Sequence, residues 1–165
     1  MNLQELLQKI ENELTLRNYS RKTIKSYLIC LADYFRFVRT VSKNPDVQLI
    51  KTYLLAKQSA GLSSRTINVY LHSIKYFYKE VCKSQIAIDL KFAKTAHKLP
   101  VVLSRVEIQK IISVISNKKH RLLIAISYGA GLRVSEVVNL KVKDISIDEL
   151  VINIKDAKGS KDRIT

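Results

Sequence analysis

Two short segments combine hydroxyl and basic side chains at positions where a helix would begin. One runs over residues 20–25 and the other over residues 63–68. A helix start presents free N–H groups and the positive end of the helix dipole, and both favour a phosphate. Guanidinium and hydroxyl groups in that place are typical of surfaces that hold a DNA backbone. The predicted DNA contacts are Ser20, Arg21, Lys22, Thr23, Lys25, Ser63, Ser64, Arg65, Thr66 and Asn68.

The alternative for both segments is a capped, solvated helix end without a ligand. The charge of the chain favours DNA. Its 165 residues include 29 Lys and Arg against 14 Asp and Glu, which gives a formal net charge of +15. The excess is spread along the sequence, so it belongs to folded surfaces and not to a tail. Nucleic acid is the first partner that this charge predicts, and an anionic membrane surface is the second.

Apolar residues at helical spacing predict the elements that carry these segments. Four helices are expected, over residues 3–16, from Ser20 to Val38, from Asn44-Pro45 to before Gly61, and from Ser63 or Ser64 to Val81. The second and fourth are related, because a shift of 43 residues aligns 20–35 with 63–78 and gives five identities. Amphipathic spacing alone does not explain their shared polar start. The repeat therefore predicts two helical hairpins packed face to face.

The second half of the chain changes from helical to alternating periodicity. Residues 86–104 are basic and weakly patterned, which predicts a linker with room for a short helix over residues 86–92. Three helices are expected next, one behind a Ser104–Glu107 capping box, one ending at residues 129–131 and one beginning near Arg133. From Val142 onwards apolar residues recur about every second position, with turns at residues 148–149 and 157–160. This pattern predicts a small antiparallel sheet.

Several classes of protein are excluded. Two cysteines, Cys30 and Cys82, are unlike a disulfide framework or a metal cluster, so no metal site is predicted and a reducing cytoplasm is expected. The longest apolar stretch, residues 122–132, is too short to span a bilayer. The N-terminus carries acidic residues among its leucines, so it does not read as a signal peptide.

The segment YGAGLRVSEVVNLKVKDI (128–145) resembles the first catalytic box of the tyrosine recombinases of Xer and phage-integrase type. The segment VINIKDAKGSKDRIT (151–165) resembles the β-hairpin of that family, with its Lys-Gly-x-Lys-x-Arg turn. The two related helix starts look like the family's helical, SAM-like core-binding domain. The resemblance covers almost the whole chain, and the two motifs in order are a specific signal. It implies site-specific cutting and rejoining of double-stranded DNA by tetramers, through a phosphotyrosine intermediate and without a cofactor.

The resemblance also implies roles for single residues. Arg133 matches the arginine whose paired donors neutralise the charge that develops on the phosphate, and Glu136 is expected to orient it. Lys158 matches the lysine that protonates the departing 5′ oxygen, with Lys161 as the second choice. Lys161 and Arg163 are also expected to contact DNA. The alternative for Arg133 is an ordinary helix-start arginine paired with Glu136.

Part of the family pattern is missing from this sequence. The family has a His-x-x-Arg box, a further His or Trp, and a nucleophilic tyrosine beyond the hairpin. Here no histidine follows His120 and no tyrosine follows Tyr128, and the eight tyrosines have the spacing of helix-core residues. We therefore expect the N-terminal portion of a recombinase, truncated, which binds DNA without cutting it alone. The alternative is a non-enzymatic DNA-binding module that occupies recombination sites.

The expected fold class is mainly α with a small antiparallel sheet. Residues 1–85 are predicted to form the core-binding domain and residues 86–104 a linker. Residues 105–165 are predicted to form the N-terminal part of an α+β catalytic domain.

Overall fold

The computed structural model describes residues 3–95, 99–157 and 161–165, and these are mostly helical with a three-stranded antiparallel sheet. The chain divides into two compact units, residues 1–98 and residues 99–165. The helices are α1 (Leu3–Leu16), α2 (Arg21–Val38), α3 (Val47–Ser59), α4 (Ser64–Tyr76), α5 (Arg105–Val114), α6 (Lys118–Gly129) and α7 (Val134–Asn139). The strands are β1 (Ile145–Ser146), β2 (Val151–Ala157) and β3 (Lys161–Ile164). The predicted fold class is confirmed.

The two related helices begin with the same cap. Ser20 Oγ accepts a hydrogen bond from the backbone N–H of Thr23 at 3.2 Å, and Ser63 Oγ accepts one from Thr66 at 3.2 Å. In each case the serine and threonine hydroxyls also bond to each other, at 2.8 and 2.9 Å. The shared Ser-x-x-Thr pattern is therefore a capping signal, which satisfies one of the free N–H groups of each first turn.

The prediction that Asn44-Pro45 begins α3 is wrong. Asp46 is the N-cap, and its Oδ1 accepts a hydrogen bond from the backbone N–H of Leu49 at 3.0 Å. A carboxylate satisfies an N–H group of the first turn and complements the helix dipole. Pro45 lies one residue before the cap, and Asn44 Oδ1 accepts a hydrogen bond from the hydroxyl of Ser84 at 3.2 Å.

Aromatic side chains dominate the core of the first unit. Tyr34, Tyr53 and Phe77 are each about 1% exposed, and edge-to-face ring contacts join them to their neighbours. The two tyrosine hydroxyls have hydrogen-bond partners. The hydroxyl of Tyr34 bonds to that of Tyr78 at 3.2 Å, and the hydroxyl of Tyr53 donates to Asp33 Oδ2 at 2.8 Å. Tyr34 and Tyr53 are therefore packing residues, as their spacing predicts. Tyr128, in α6 of the second unit, differs because it is 52% exposed.

Residues 86–92, where the sequence leaves room for a short helix, form neither a helix nor a strand. Ile88 and Leu90 pack against the first core, and Lys75 Nζ donates to the carbonyl of Leu90 at 2.8 Å. The ring of Phe92 stacks on His72, with centroids 4.2 Å apart. Apolar residues at every second position are the signal of an extended chain, and here they allow one edge of the segment to lie along α4. We call residues 86–95 the strap.

The second unit places its sheet after α7. The strands run in the order β1-β2-β3, with Ile145 opposite Ile152 and Ile154 opposite Arg163. The predicted Ser104–Glu107 capping box is present. The predicted strand from Val142 is wrong in its first residues, because Val142–Asp144 form a 3-10 turn and β1 has only two residues. The buried apolar core is small, consisting of Leu132, Val137 and Ile154.

Truncation of a fully buried side chain should destabilise the first unit strongly. Ile74 is 0% exposed, and Ile74→Ala is expected to lower the free energy of unfolding by about 2–5 kcal/mol through lost burial and a residual cavity. Leu55, on α3, is 52% exposed, so Leu55→Ala should lower it by less than about 1 kcal/mol. Urea unfolding followed by tyrosine circular dichroism is selective for this unit, since it holds seven of the eight tyrosines. Equal losses in the two variants would contradict the assigned core.

Candidate nucleic-acid interface and arginine site

The helix starts of the first unit present exposed cations. Arg21, Lys22 and Lys25 at the start of α2, and Arg65 at the start of α4, are all exposed. Within the part of the chain that the structure describes, none of the four pairs with a carboxylate. Thr23 and Ser64 are partly exposed, and the hydroxyls of Ser20, Thr23, Ser63 and Thr66 already form the caps. The cations, more than the hydroxyls, are therefore the groups left for an anionic ligand.

The two helix starts lie at different ends of α4. Tyr19, just before the α2 cap, places its ring 5.7 Å from the ring of Tyr76, the last residue of α4. Ser64 begins α4 twelve residues earlier, which is about 18 Å along the helix axis. The structure thus offers two separated cationic points on one unit, and it does not gather them into one pocket.

Arg17, near the start of α2, makes contacts that the sequence does not predict. Arg17 Nη2 pairs with Glu80 at 2.8 Å and Arg17 Nε with Glu13 at 3.2 Å, while the guanidinium lies 5.7 Å from the centre of the Tyr76 ring. The hydrogen bond from Arg17 lowers the pKa of the Glu80 carboxyl. These contacts connect the residue after α1 to the last residue of α4 and to the π-helical turn Phe77–Val81 that follows it. The Glu13–Arg17 spacing of four was the only local signal.

Asn68 is placed differently from the other predicted DNA contacts. Its Nδ2 donates to the carbonyl of Ala93 at 2.9 Å, and its Oδ1 accepts from the backbone N–H of Ala93 at 2.8 Å. Both ends of the carboxamide are thereby used to fasten the strap to α4. In this geometry the Asn68 side chain stabilises the packing of the strap on α4.

Loss of the Asn68 carboxamide should loosen the strap. Asn68→Ala removes two hydrogen bonds to Ala93, so the Ala93 amide should exchange with solvent about fivefold faster, as expected for the loss of roughly 1 kcal/mol. Hydrogen exchange measured by NMR checks this. Gln48→Ala, at an exposed position of α3, is the control and should leave Ala93 unchanged. Unaltered exchange at Ala93 in Asn68→Ala would show that the strap is held by other contacts.

Arg133 lies at the N-cap of α7, two residues after the turn formed by Ala130 and Gly131. Gly131 has φ +60°, a conformation that glycine adopts without strain, and Leu132 is buried beneath the turn. Glu136 Oε2 accepts from the backbone N–H of Arg133 at 2.7 Å, and Oε1 accepts from Arg133 Nη1 at 2.8 Å. The Arg133 side chain is 58% exposed and that of Glu136 only 5%. The buried Glu136 carboxylate therefore holds the Arg133 side chain in place, while the rest of the Arg133 guanidinium is exposed to solvent.

Arg163 meets the same carboxylate from the sheet. Its Nη2 lies 2.9 Å from Glu136 Oε2 and 3.4 Å from the carbonyl oxygen of Gly131. Its Nε is buried and has no hydrogen-bond partner among the residues described. The backbone N–H of Arg133, followed by the guanidinium groups of Arg133 and Arg163, lowers the pKa of the Glu136 carboxyl to about 2. The sequence predicts that Arg163 contacts DNA, whereas the structure places its guanidinium on Glu136.

The two lysines of the predicted hairpin turn are located only in part. Lys158 lies outside the described residues. Lys161 is the first residue of β3, and it stands opposite Ala157 of β2 in the sheet register. The described residues contain no cluster of three His, Cys, Asp or Glu side chains that would hold a metal ion. The described helices also include none that is both long and apolar enough to cross a membrane.

Comparison with known sequences gives a consistent result for both units. Residues 6–88 match the family described as phage integrase, N-terminal SAM-like domain, and residues 102–165 match the phage integrase family. A curated relative, the tyrosine recombinase XerA of Pyrococcus horikoshii, is 31% identical over 160 residues, which are 97% of this chain and 55% of the relative. The chain therefore spans about half the length of the curated relatives that it matches.

Solved structures share the fold. The Tn1549 transposon integrase, in complex with circular intermediate DNA, matches 97% of this chain and 58% of its own, with a TM-score of 0.67 and 23% identity. The XerH site-specific recombinase bound to its difH substrate matches 100% of this chain and 54% of its own, with a TM-score of 0.62 and 23% identity. At this identity the likeness concerns the fold alone.

Proposed function

Since the chain belongs to the phage integrase family of tyrosine recombinases, we propose that it provides the DNA-binding part and the first catalytic part of a site-specific DNA recombinase. Residues 1–85 hold duplex DNA, and residues 105–165 bring Arg133 to the phosphate that is to be cut. The observation that carries the proposal is the exposed Arg133 guanidinium, fixed by the buried Glu136 within the motif that resembles the first catalytic box.

Support for DNA as the partner comes from the charge and from the structural neighbours. The cations at the starts of α2 and α4 are exposed and lack carboxylate partners in the described part of the chain, so their charge is available to phosphates. The Tn1549 integrase and XerH are both seen bound to DNA. Contacts of this kind position a duplex and carry little sequence information, so they predict affinity more than specificity.

The chemistry proposed for the second unit follows from charge. Attack on a phosphodiester spreads additional negative charge over the non-bridging oxygens, and a guanidinium fork neutralises it with two donors. Arg133 Nη1 is held by Glu136, and the exposed remainder of the fork faces the phosphate. Lys158 is proposed to protonate the 5′ oxygen that leaves. Because no tyrosine follows Tyr128 in this sequence, the 165-residue polypeptide itself is proposed to bind DNA without cleaving it.

Binding of residues 1–98 to duplex DNA should depend steeply on salt. With about six phosphates contacted, a plot of log affinity against log salt concentration should have a slope near −5. Arg21→Glu and Arg65→Glu should each weaken binding to all sequences, because each replaces an exposed cation by a carboxylate. Lys51→Glu makes the same charge change at an exposed position in the middle of α3, and it is the matched control. Salt-independent binding, or equal losses in all three variants, would contradict the assignment of the helix starts.

The chain spans about half the length of the curated relatives that it matches, so the proposed catalytic roles are tested in a longer polypeptide. In a chimera in which the C-terminal part of the Pyrococcus horikoshii relative follows Thr165, Arg133→Ala should lower the cleavage rate by about 10²–10³ with DNA affinity nearly intact. Lys158→Ala should also slow cleavage, and replacement of the 5′ oxygen by sulfur, which needs no proton to leave, should restore the rate for this variant alone. Rescue of Lys161→Ala instead would move the general acid to Lys161.

Suicide DNA substrates, which trap the covalent protein–DNA adduct, measure both rates. The 165-residue polypeptide should give no adduct. An adduct formed by that polypeptide would overturn its assignment as a DNA-binding form, and an Arg133→Ala chimera with an unchanged rate would overturn the role of the arginine.

A further inference from the structure

We propose that Arg163 is a positioning residue, which holds Glu136 and, through it, the Arg133 guanidinium in the orientation that meets a phosphate. The inference rests on the proposed function, since the orientation matters only if Arg133 acts on DNA. It replaces the direct DNA contact that the sequence predicts for Arg163. The three side chains, from α7, its N-cap and β3, are called the arginine clamp below.

The hydrogen bonds of Glu136 show why one arginine is not sufficient. Oε1 accepts from Arg133 Nη1, while Oε2 accepts both from the Arg133 backbone N–H and from Arg163 Nη2. A carboxylate can turn about its terminal bond, which is a soft torsion. Donors on both oxygens from two directions restrict that rotation. With Arg163 absent, Glu136 keeps only partners that belong to Arg133 itself, and neither of them ties Arg133 to the sheet.

The charges of the arginine clamp lead to the same conclusion. Arg133 and Glu136 alone form a neutral pair, in which the carboxylate opposes the attraction of the arginine for a phosphate. Arg163 restores a net charge of +1 to the three groups at contact distances of 2.8 and 2.9 Å. The field at the exposed guanidinium therefore stays positive although a carboxylate is bound to it.

The backbone of β3 supplies the anchor. Arg163 stands opposite Ile154, which is 3% exposed and packs with Leu132 and Val137. Two residues further on, Thr165 Oγ1 donates to the carbonyl of Ala130 at 3.1 Å, and its backbone exchanges hydrogen bonds with Ile152 at 2.8 and 3.1 Å. The turn that precedes Arg133 is thus joined to the C-terminal end of β3. Arg163 couples the position of β3 to the position of Arg133.

The exposure of the two arginines separates their roles. The Arg133 side chain is 58% exposed, whereas that of Arg163 is 37% exposed with Nη2 on a carboxylate and Nε buried. Moving Arg163 to a phosphate would leave Glu136 with one guanidinium fewer in a place where its side chain is 5% exposed. Removal of a partner from a buried charge is unfavourable, so the arrangement favours Arg163 as a support.

The first test follows the Glu136 carboxyl by carbon-13 NMR in the 165-residue chain. In the unmodified chain its pKa should lie at about 2. Arg163→Gln should raise it by about one unit, as expected on loss of an adjacent opposite charge, and Arg163→Lys should recover part of this shift. Lys155→Gln removes a cation from an exposed position on the neighbouring strand β2 and is the control, with no shift expected. A Glu136 pKa that is unchanged in Arg163→Gln, or that rises equally in Lys155→Gln, would overturn the proposal.

The second test separates support from DNA contact. If Arg163 is a positioning residue, Arg163→Gln leaves the salt slope of DNA binding unchanged; a phosphate contact would reduce the slope by about 1. In the chimera, Arg163→Gln should lower the cleavage rate at saturating DNA about tenfold, with partial rescue by Arg163→Lys. A reduced salt slope, or an unchanged cleavage rate, would overturn the role. If the chain does not bind DNA at all, the proposed function fails, while the Glu136 titration still decides whether the clamp exists.

Discussion

The geometry around Arg133 depends on one buried carboxylate. Glu136 receives a backbone N–H and two guanidinium groups, and these donors keep it ionised with a pKa of about 2 although its side chain is only 5% exposed. A buried charge is stable only when its hydrogen bonds are satisfied. Here the donors come from the α7 N-cap and from β3, so the turn at Gly131, the helix and the strand must come together for the carboxylate to be tolerated. The same requirement fixes the arginine that the proposed chemistry uses.

In the first unit the cations at the helix starts remain accessible. Its core is apolar and aromatic, and the hydroxyls of the two helix caps form hydrogen bonds with the backbone and with each other. The groups at the helix starts that are left for an anionic ligand are therefore the cations at the ends of long, exposed Arg and Lys side chains. Groups of this kind attract a phosphate backbone without regard to base sequence. Any preference for a particular site must come from other residues or from the shape of the DNA.

What the sequence could predict was local. The Ser20–Thr23 and Ser63–Thr66 repeats, the Ser104–Glu107 box and the Arg133–Glu136 pair each join residues three apart, and the structure contains all four. The features that were missed join distant residues. Asn68 meets Ala93 across 25 positions, and Arg163 meets Glu136 across 27. Nothing near Arg163 in the sequence distinguishes a carboxylate partner from a phosphate, because both offer oxygen acceptors to the same guanidinium.

The two units also differ in how many apolar side chains each buries in its own core. This difference affects the arginine clamp, which lies in the second unit. None of the described side chains of α5 and α6 is fully buried, and the second core consists of Leu132, Val137 and Ile154, with Leu123 and Ile126 of α6 partly buried against it. Where few apolar side chains are buried, local order depends more on hydrogen bonds and charge. In residues 99–165, the bonds between Thr165 and Ile152 and the contacts of Glu136 join β2, β3 and α7 around Arg133. The orientation of Arg133 is therefore sensitive to any change in β3, because β3 supplies Arg163, one of the two cations that keep the Glu136 carboxylate in place.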